Sequence, residues 1–114
     1  MTVTIDAVTM STIHWADVIE YPQTGVKCKV LLEDGNCRYT LISLAMGMNI
    51  AEHAANRNAT VNVIEGQGAL TIAGKEIVLE SGVFAFIPAN AHHTIKAMTN
   101  IAFLLTLSEQ VAAI

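Results

Sequence analysis

The chain is interrupted every few residues by groups that turn a backbone, and no stretch between two interruptions leaves room for a substantial helix. Turn signals fall at Gln23-Thr24-Gly25, Glu33-Asp34-Gly35-Asn36, Gly47, Asn56-Arg57-Asn58, Glu65-Gly66-Gln67-Gly68, Ala73-Gly74-Lys75, Ser81-Gly82, Pro88-Ala89-Asn90 and Thr99-Asn100. The segments between them favour β-branched and aliphatic residues: Val26 to Leu32, Cys37 to Ala45, Thr60 to Ile64, Ala69 to Ile72, Glu76 to Leu79, Val83 to Ile87, Thr94 to Ala97 and Ile101 to Leu107. This spacing predicts an all-β protein, an antiparallel sandwich or barrel. Helical periodicity is confined to about one turn over Thr12 to Asp17 and another in the tail from Ser108 to Ile114.

Several of these strands are apolar on both faces. In Val83 to Ile87 the odd positions give Val83, Ala85 and Ile87, while the even ones give Phe84 and Phe86. A sheet with one wet face needs apolar residues only at alternate positions, so a second layer must cover the rest. Opposed sheets supply part of that cover, and a homodimer packed sheet against sheet is expected to supply the remainder. The N-terminal segment Thr2 to Val8, with Val3, Ile5 and Ala7 alternating, is a candidate strand for exchange between partners.

At 114 residues the chain has room for one domain, expected to span 1–114 with its barrel blocks at about 26–107 and an N-terminal strand arm over 1–25. It is 53% hydrophobic and 14% charged, with a mean hydropathy of +0.47, which excludes disorder. The longest apolar runs fall far short of the ~20 residues needed to cross a bilayer, so no membrane span is expected. A net charge of −4 without a Lys/Arg cluster argues against nucleic acid as a partner. The first twenty residues hold Asp6, Asp17 and Glu20 and no basic residue, unlike a secretory signal, and a cytoplasmic location is expected.

Cys28 and Cys37 sit on opposite arms of a hairpin expected to close with a two-residue turn at Asp34-Gly35. That turn would pair Leu32 with Cys37 and Cys28 with Leu41, leaving the cysteines out of register for a disulfide, as suits a reducing compartment. With no CxxC spacing, both read as small hydrophobes.

Four histidines, His14, His53, His92 and His93, are the first candidates for chemistry, because imidazole ligates metals and titrates near neutral pH. His14 lies between Ile13 and Trp15 and reads as a surface or packing residue. His92 reads as a loop or interface residue. His53 follows Gly47 by six residues and precedes Gly66 by thirteen, and His93 follows Pro88 by five and Gly82 by eleven.

In that arrangement the sequence resembles the cupin superfamily, whose jelly-roll barrels carry the blocks G-x5-H-x-H-x3,4-E-x6-G and G-x5-P-x-G-x2-H-x3-N. The first block matches at Gly47, His53 and Gly66, the second at Gly82, Pro88 and His93, and Gly68 to Lys75 resembles the hairpin joining them. The resemblance implies an antiparallel double-stranded β-helix. It also implies a site for Ni, Zn, Mn or Fe where the ligand set is complete. Here His53 and His93 stand at ligand positions, but Ala55 replaces the second histidine and Ala59 the glutamate. Asn90 stands at the second block's glycine and Ala97 at its asparagine. Two neutral imidazoles make a weak site, unless Glu52, Asn56, Asn58 or a bound anion adds a third ligand.

The residues leave the function open between classes. One reading is a module binding a small, largely apolar or anionic molecule between His53 and His93, with Met46, Phe84 and Phe103 lining an apolar pocket. The blander reading makes the methionines and phenylalanines core, and the histidines groups that hydrogen-bond each other or water. The alternative is a cupin enzyme: a metal-dependent oxygenase or isomerase, or an acid/base catalyst pairing a histidine with Tyr21 or Tyr39. A structural dimer with a vestigial pocket is the third reading.

Overall fold

The protein was analysed as a computed structural model describing residues 12–108. Among these residues the chain is all-β apart from one helical turn, as the turn spacing predicts. The elements in order are α1 (Trp15–Val18), β1 (Val26–Glu33), β2 (Cys37–Leu44), β3 (Asn49–His53), β4 (Ala59–Glu65), β5 (Gln67–Ile72), β6 (Lys75–Glu80), β7 (Phe84–Ile87), β8 (His93–Ala97) and β9 (Ile101–Ser108). They form two antiparallel sheets, one ordered β1-β2-β9-β4-β7 and the other β3-β8-β5-β6, facing each other as a jelly-roll barrel. The expected exchange strand Thr2 to Val8, and all of the expected tail helix beyond Ser108, lie outside the described residues. Among those described, no helix is long and apolar enough to cross a membrane.

Two local expectations need correction. The β1–β2 hairpin turns at Gly35-Asn36, one residue later than Asp34-Gly35. The Asp34 carboxylate accepts the amides of Asn36 and Cys37, each at 2.7 Å, and Asp34 N donates to Cys37 O at 3.0 Å. An Asx side chain bonded to the backbone ahead of it favours a turn that starts there. These two bonds also hold the Asp34 carboxyl below the usual carboxylate range. An irregularity between Val30 and Leu32 then shifts the register, so that Cys28 opposes Ile42, while Cys37 opposes Ser108 of β9. Both thiols are free, as expected.

The second correction is β3, which the composition does not announce. Asn49, Ala51 and Glu52 are residue types depleted in strands. Pairing with β8 imposes the extended form instead, with Asn49 opposite Lys96, Ile50 opposite Ile95 and His53 opposite His93.

A single residue, Gly66, separates β4 in one sheet from β5 in the other. Its φ is +92°, and a Cβ there would meet Asn100 O at 2.1 Å and the Ile101 Cα at 2.7 Å. Only glycine combines that backbone with so close an approach. Around it, Gln67 O accepts the amides of Met98 and Thr99, Thr99 Oγ1 accepts the Gln67 amide at 2.9 Å, and Asn100 Oδ1 accepts the Met46 amide at 2.8 Å. Next to this corner the barrel is filled: Leu44, Val63, Leu70, Leu79, Ala97 and Ile101 are all buried.

Outside the barrel, α1 is too short to persist alone. The segment around it is tied down by Lys29 Nζ to Val18 O at 3.4 Å, Lys27 Nζ to Glu20 at 2.7 Å and the Tyr21 hydroxyl to Glu65 at 2.6 Å. Burial, and then the Glu65 carboxylate, push the Tyr21 hydroxyl far above the ordinary phenol value.

The corner predicts a contrast between two glycines. Gly66→Ala should cost about 3 kcal/mol or more, or prevent folding, because strain and clash coincide there. Gly47→Ala, with φ +81° but nothing within 4 Å of its Cβ, should cost only about 1 kcal/mol. Urea unfolding of the two variants measures both; equal losses would contradict this account of the corner.

Candidate functional site

At the end of the barrel away from the Gly66 corner, the sheets do not fill the space between them. The β3–β4 loop and the turn between β7 and β8 meet there and are laced together. Asn90 N donates to Ala55 O at 2.6 Å, Ala89 N to Asn58 Oδ1 at 2.9 Å, and Ser108 N to Asn58 O at 2.9 Å. The turn runs Pro88-Ala89-Asn90-Ala91 with Ala91 N bonded to Pro88 O, and Asn90 has a φ of +69°. Asparagine, whose short polar side chain tolerates the left-handed region, thus fills the place of a glycine.

Beneath this lacing lies a cavity of about 410 Å³, within the ~300–1,000 Å³ typical of small-molecule sites. Its walls come from nearly every strand: Val26 and Cys28 of β1, Ile42 of β2, Ile50 of β3, Ala59 of β4, Ile87 of β7, His93 and Ile95 of β8, and Phe103, Leu105 and Leu107 of β9. Ala55, Arg57, Pro88 and Ala91 complete it from the loops. The lining is hydrocarbon except at Cys28, Arg57 and His93.

His93 is buried, and its Nδ1 lies 3.0 Å from Ala91 O. A carbonyl only accepts, so Nδ1 carries the hydrogen and, in the neutral ring, the lone pair is on Nε2. The ring is therefore held in one tautomer by its own turn. His53 stands directly opposite His93 in the β3–β8 register. Cys28 belongs to a residue exposed overall, yet burial still pushes its thiol above the ordinary value.

The sequence-named pocket residues divide. Phe103 is fully buried and lines the cavity. Phe84 does not, because Ala85 and Ile87 take the inward positions of β7 and put Phe84, 61% exposed, on the opposite face. Met46 does not either: it sits in the β2–β3 turn, 65% exposed, with its amide held by Asn100. Neither tyrosine reaches the cavity. Tyr21 is bound to Glu65 outside the barrel, and Tyr39 has opposite parity to Ile42, the cavity residue of its strand. A histidine–tyrosine acid/base pair is therefore not assembled. His14 and His92 are both exposed, and neither belongs to the cavity wall.

Arg57 and Cys28 are wall residues that the sequence reading passed over. A signal for Arg57 was present: 55, 57 and 59 are alternate positions, and all three line the cavity.

The Cupin domain family matches residues 40–107, more than half of the sequence. The chain belongs to the cupin family. Among solved structures, this cupin is similar to a conserved protein of unknown function from Streptococcus pyogenes, at 20% identity and a TM-score of 0.82, covering 98% of each chain. It is similar also to a cupin superfamily protein from Desulfitobacterium hafniense, at 18% identity and a TM-score of 0.81, covering 92% of this chain and 94% of that one. A Cupin 2 conserved barrel domain protein from Leptotrichia buccalis is 30% identical with a TM-score of 0.76, over 82% of this chain and 46% of that one. No curated protein matches the sequence. The fold houses metal-dependent enzymes and binding proteins alike.

Whether this cupin's residues fit a metal follows from the donors at the ligand positions. Ala55 and Ala59 bring methyl groups to the cavity where a histidine and a glutamate would stand. Among the described residues, no group of three or more His, Cys, Asp or Glu is placed to hold a metal ion. The family's four-ligand sphere is not reproduced among the described residues, outside which the side chains of Glu52 and His53 lie.

Proposed function

We propose that this cupin is a binding module for a small organic molecule, held in the cavity at the end of the barrel marked by His53 and His93, without a tightly held metal. The observation that carries the reading is the cavity wall itself. It is hydrocarbon almost throughout, and Ala55 and Ala59 occupy two of the four positions at which relatives would place ligands. Each alanine removes a donor and adds apolar surface. An apolar guest of matching shape is favoured there by about 25 cal/mol for each Å² of apolar surface removed from water. His93, its Nδ1 on Ala91 O, brings a polar ring to the wall, and Phe103 brings an aromatic one.

Isothermal titration with Ni, Mn, Fe(II), Zn and Cu ions tests the metal-free part of the reading. No site of micromolar affinity or tighter is expected; a micromolar site abolished by His53→Ala would overturn it.

The same reading takes the working form as a homodimer. Phe84 and Phe86, 61% and 53% exposed, stand together on β7 at the edge of the five-stranded sheet, and exposed apolar edges invite a second sheet. Light scattering should give twice the 12.2 kDa chain mass at micromolar concentration, and Phe84→Ser with Phe86→Ser should halve it. A wild-type monomer under those conditions would refute the dimer.

A further inference from the structure

We infer that the ligand is an amphipathic monocarboxylate, its carboxylate on Arg57 at the cavity mouth and its apolar body against Phe103 and the β9 side chains. This deepens, and rests on, the reading of the cavity as a small-molecule site.

Arg57 is the only formally charged residue in the described cavity wall. It is half-buried and makes no ion pair among the described residues. It also borders an outer depression with Glu33, Asp34 and Arg38, so it stands between the interior and the β1–β2 turn. Both acids of that depression are engaged elsewhere: Glu33 pairs with Arg38, and the Asp34 carboxylate accepts the amides of Asn36 and Cys37. Among the described residues Arg57 is thus left without a paired carboxylate, on a wall shared by the hydrocarbon chamber and the outer depression.

A guest filling that chamber strips water from Arg57. A cationic guest is repelled, and a neutral one leaves the guanidinium desolvated and unpaired, which is costly. A carboxylate matches the planar fork of the guanidinium with two parallel hydrogen bonds. The rest of the molecule must be apolar, because beyond Arg57 the chamber offers polar groups only at His93 and Cys28.

Calorimetric binding of n-octanoate and of n-octanol to the full-length protein tests the inference. Octanoate should bind about ten-fold more tightly than octanol, a modest margin because Arg57 is partly hydrated, and the margin should shrink as salt is added. Arg57→Gln should erase it and Arg57→Lys should retain part of it, with circular dichroism and thermal transition unchanged. Ala55→Trp, which fills the mouth, should weaken both probes together. Equal affinity for the two probes, or a margin that survives Arg57→Gln, would overturn the carboxylate assignment and leave the cavity reading intact. Octanoate binding untouched by Ala55→Trp would place the anion outside the cavity and overturn the assignment too. Failure of both probes to bind would overturn the cavity reading itself.

Discussion

The architecture turns on the single residue by which the chain passes from one sheet to the other. At Gly66 the backbone takes a φ of +92° within touching distance of the Asn100 carbonyl. Gln67, Thr99 and Asn100 bind one another and the Met46 amide around it. This holds the two sheets together at one end, where Leu70, Leu79, Leu44 and Ile101 close the interior. At the far end the sheets are bridged by loops, the β3–β4 loop and the Pro88–Ala91 turn, and loops roof a space without filling it. A barrel sealed at one end and roofed at the other has an interior chamber as a consequence of its topology.

What the chamber can do depends on which atoms face it. The residues at 55 and 59 are alanines, so the two positions that the resemblance to the cupin motif gives to a histidine and a glutamate line the wall without a donor. His93 remains, oriented by its bond to Ala91 O, and Arg57 stands at the rim. The polar side chains on the wall are an imidazole, a guanidinium and a thiol set in hydrocarbon, and the proposal of an organic anion rests on that combination.

Much of this was legible in the sequence, and the reasons for the rest are physical. Gly47, Gly66, Gly82 and Pro88 mark where the backbone must turn, and turns reveal β architecture more directly than strand composition does. β3 was not legible because Asn49, Ala51 and Glu52 have no strand preference of their own; β8 imposes it. The β1–β2 turn was misplaced by one residue because Asp34 acts through its side chain, accepting amides ahead of it, where the Asp-Gly pair suggested the turn's centre. In the site, Phe103 lines the cavity, whereas Phe84 and Met46 lie outside it. On a strand apolar on both faces, hydrophobicity cannot say which face is inward; the small Ala85 took that side. Arg57 was passed over because a charged residue between two asparagines looks like solvated loop until the loop is seen to fold over a cavity.

The central claim is that the interior is built for an organic guest, with alanine methyls where donors would stand. Metal analysis and anomalous diffraction from crystals of the untagged protein test it most directly. The account predicts substoichiometric metal and no anomalous peak beside the His93 ring. A spherical anomalous peak within about 2.0 to 2.3 Å of a ring nitrogen of both His53 and His93 would contradict it.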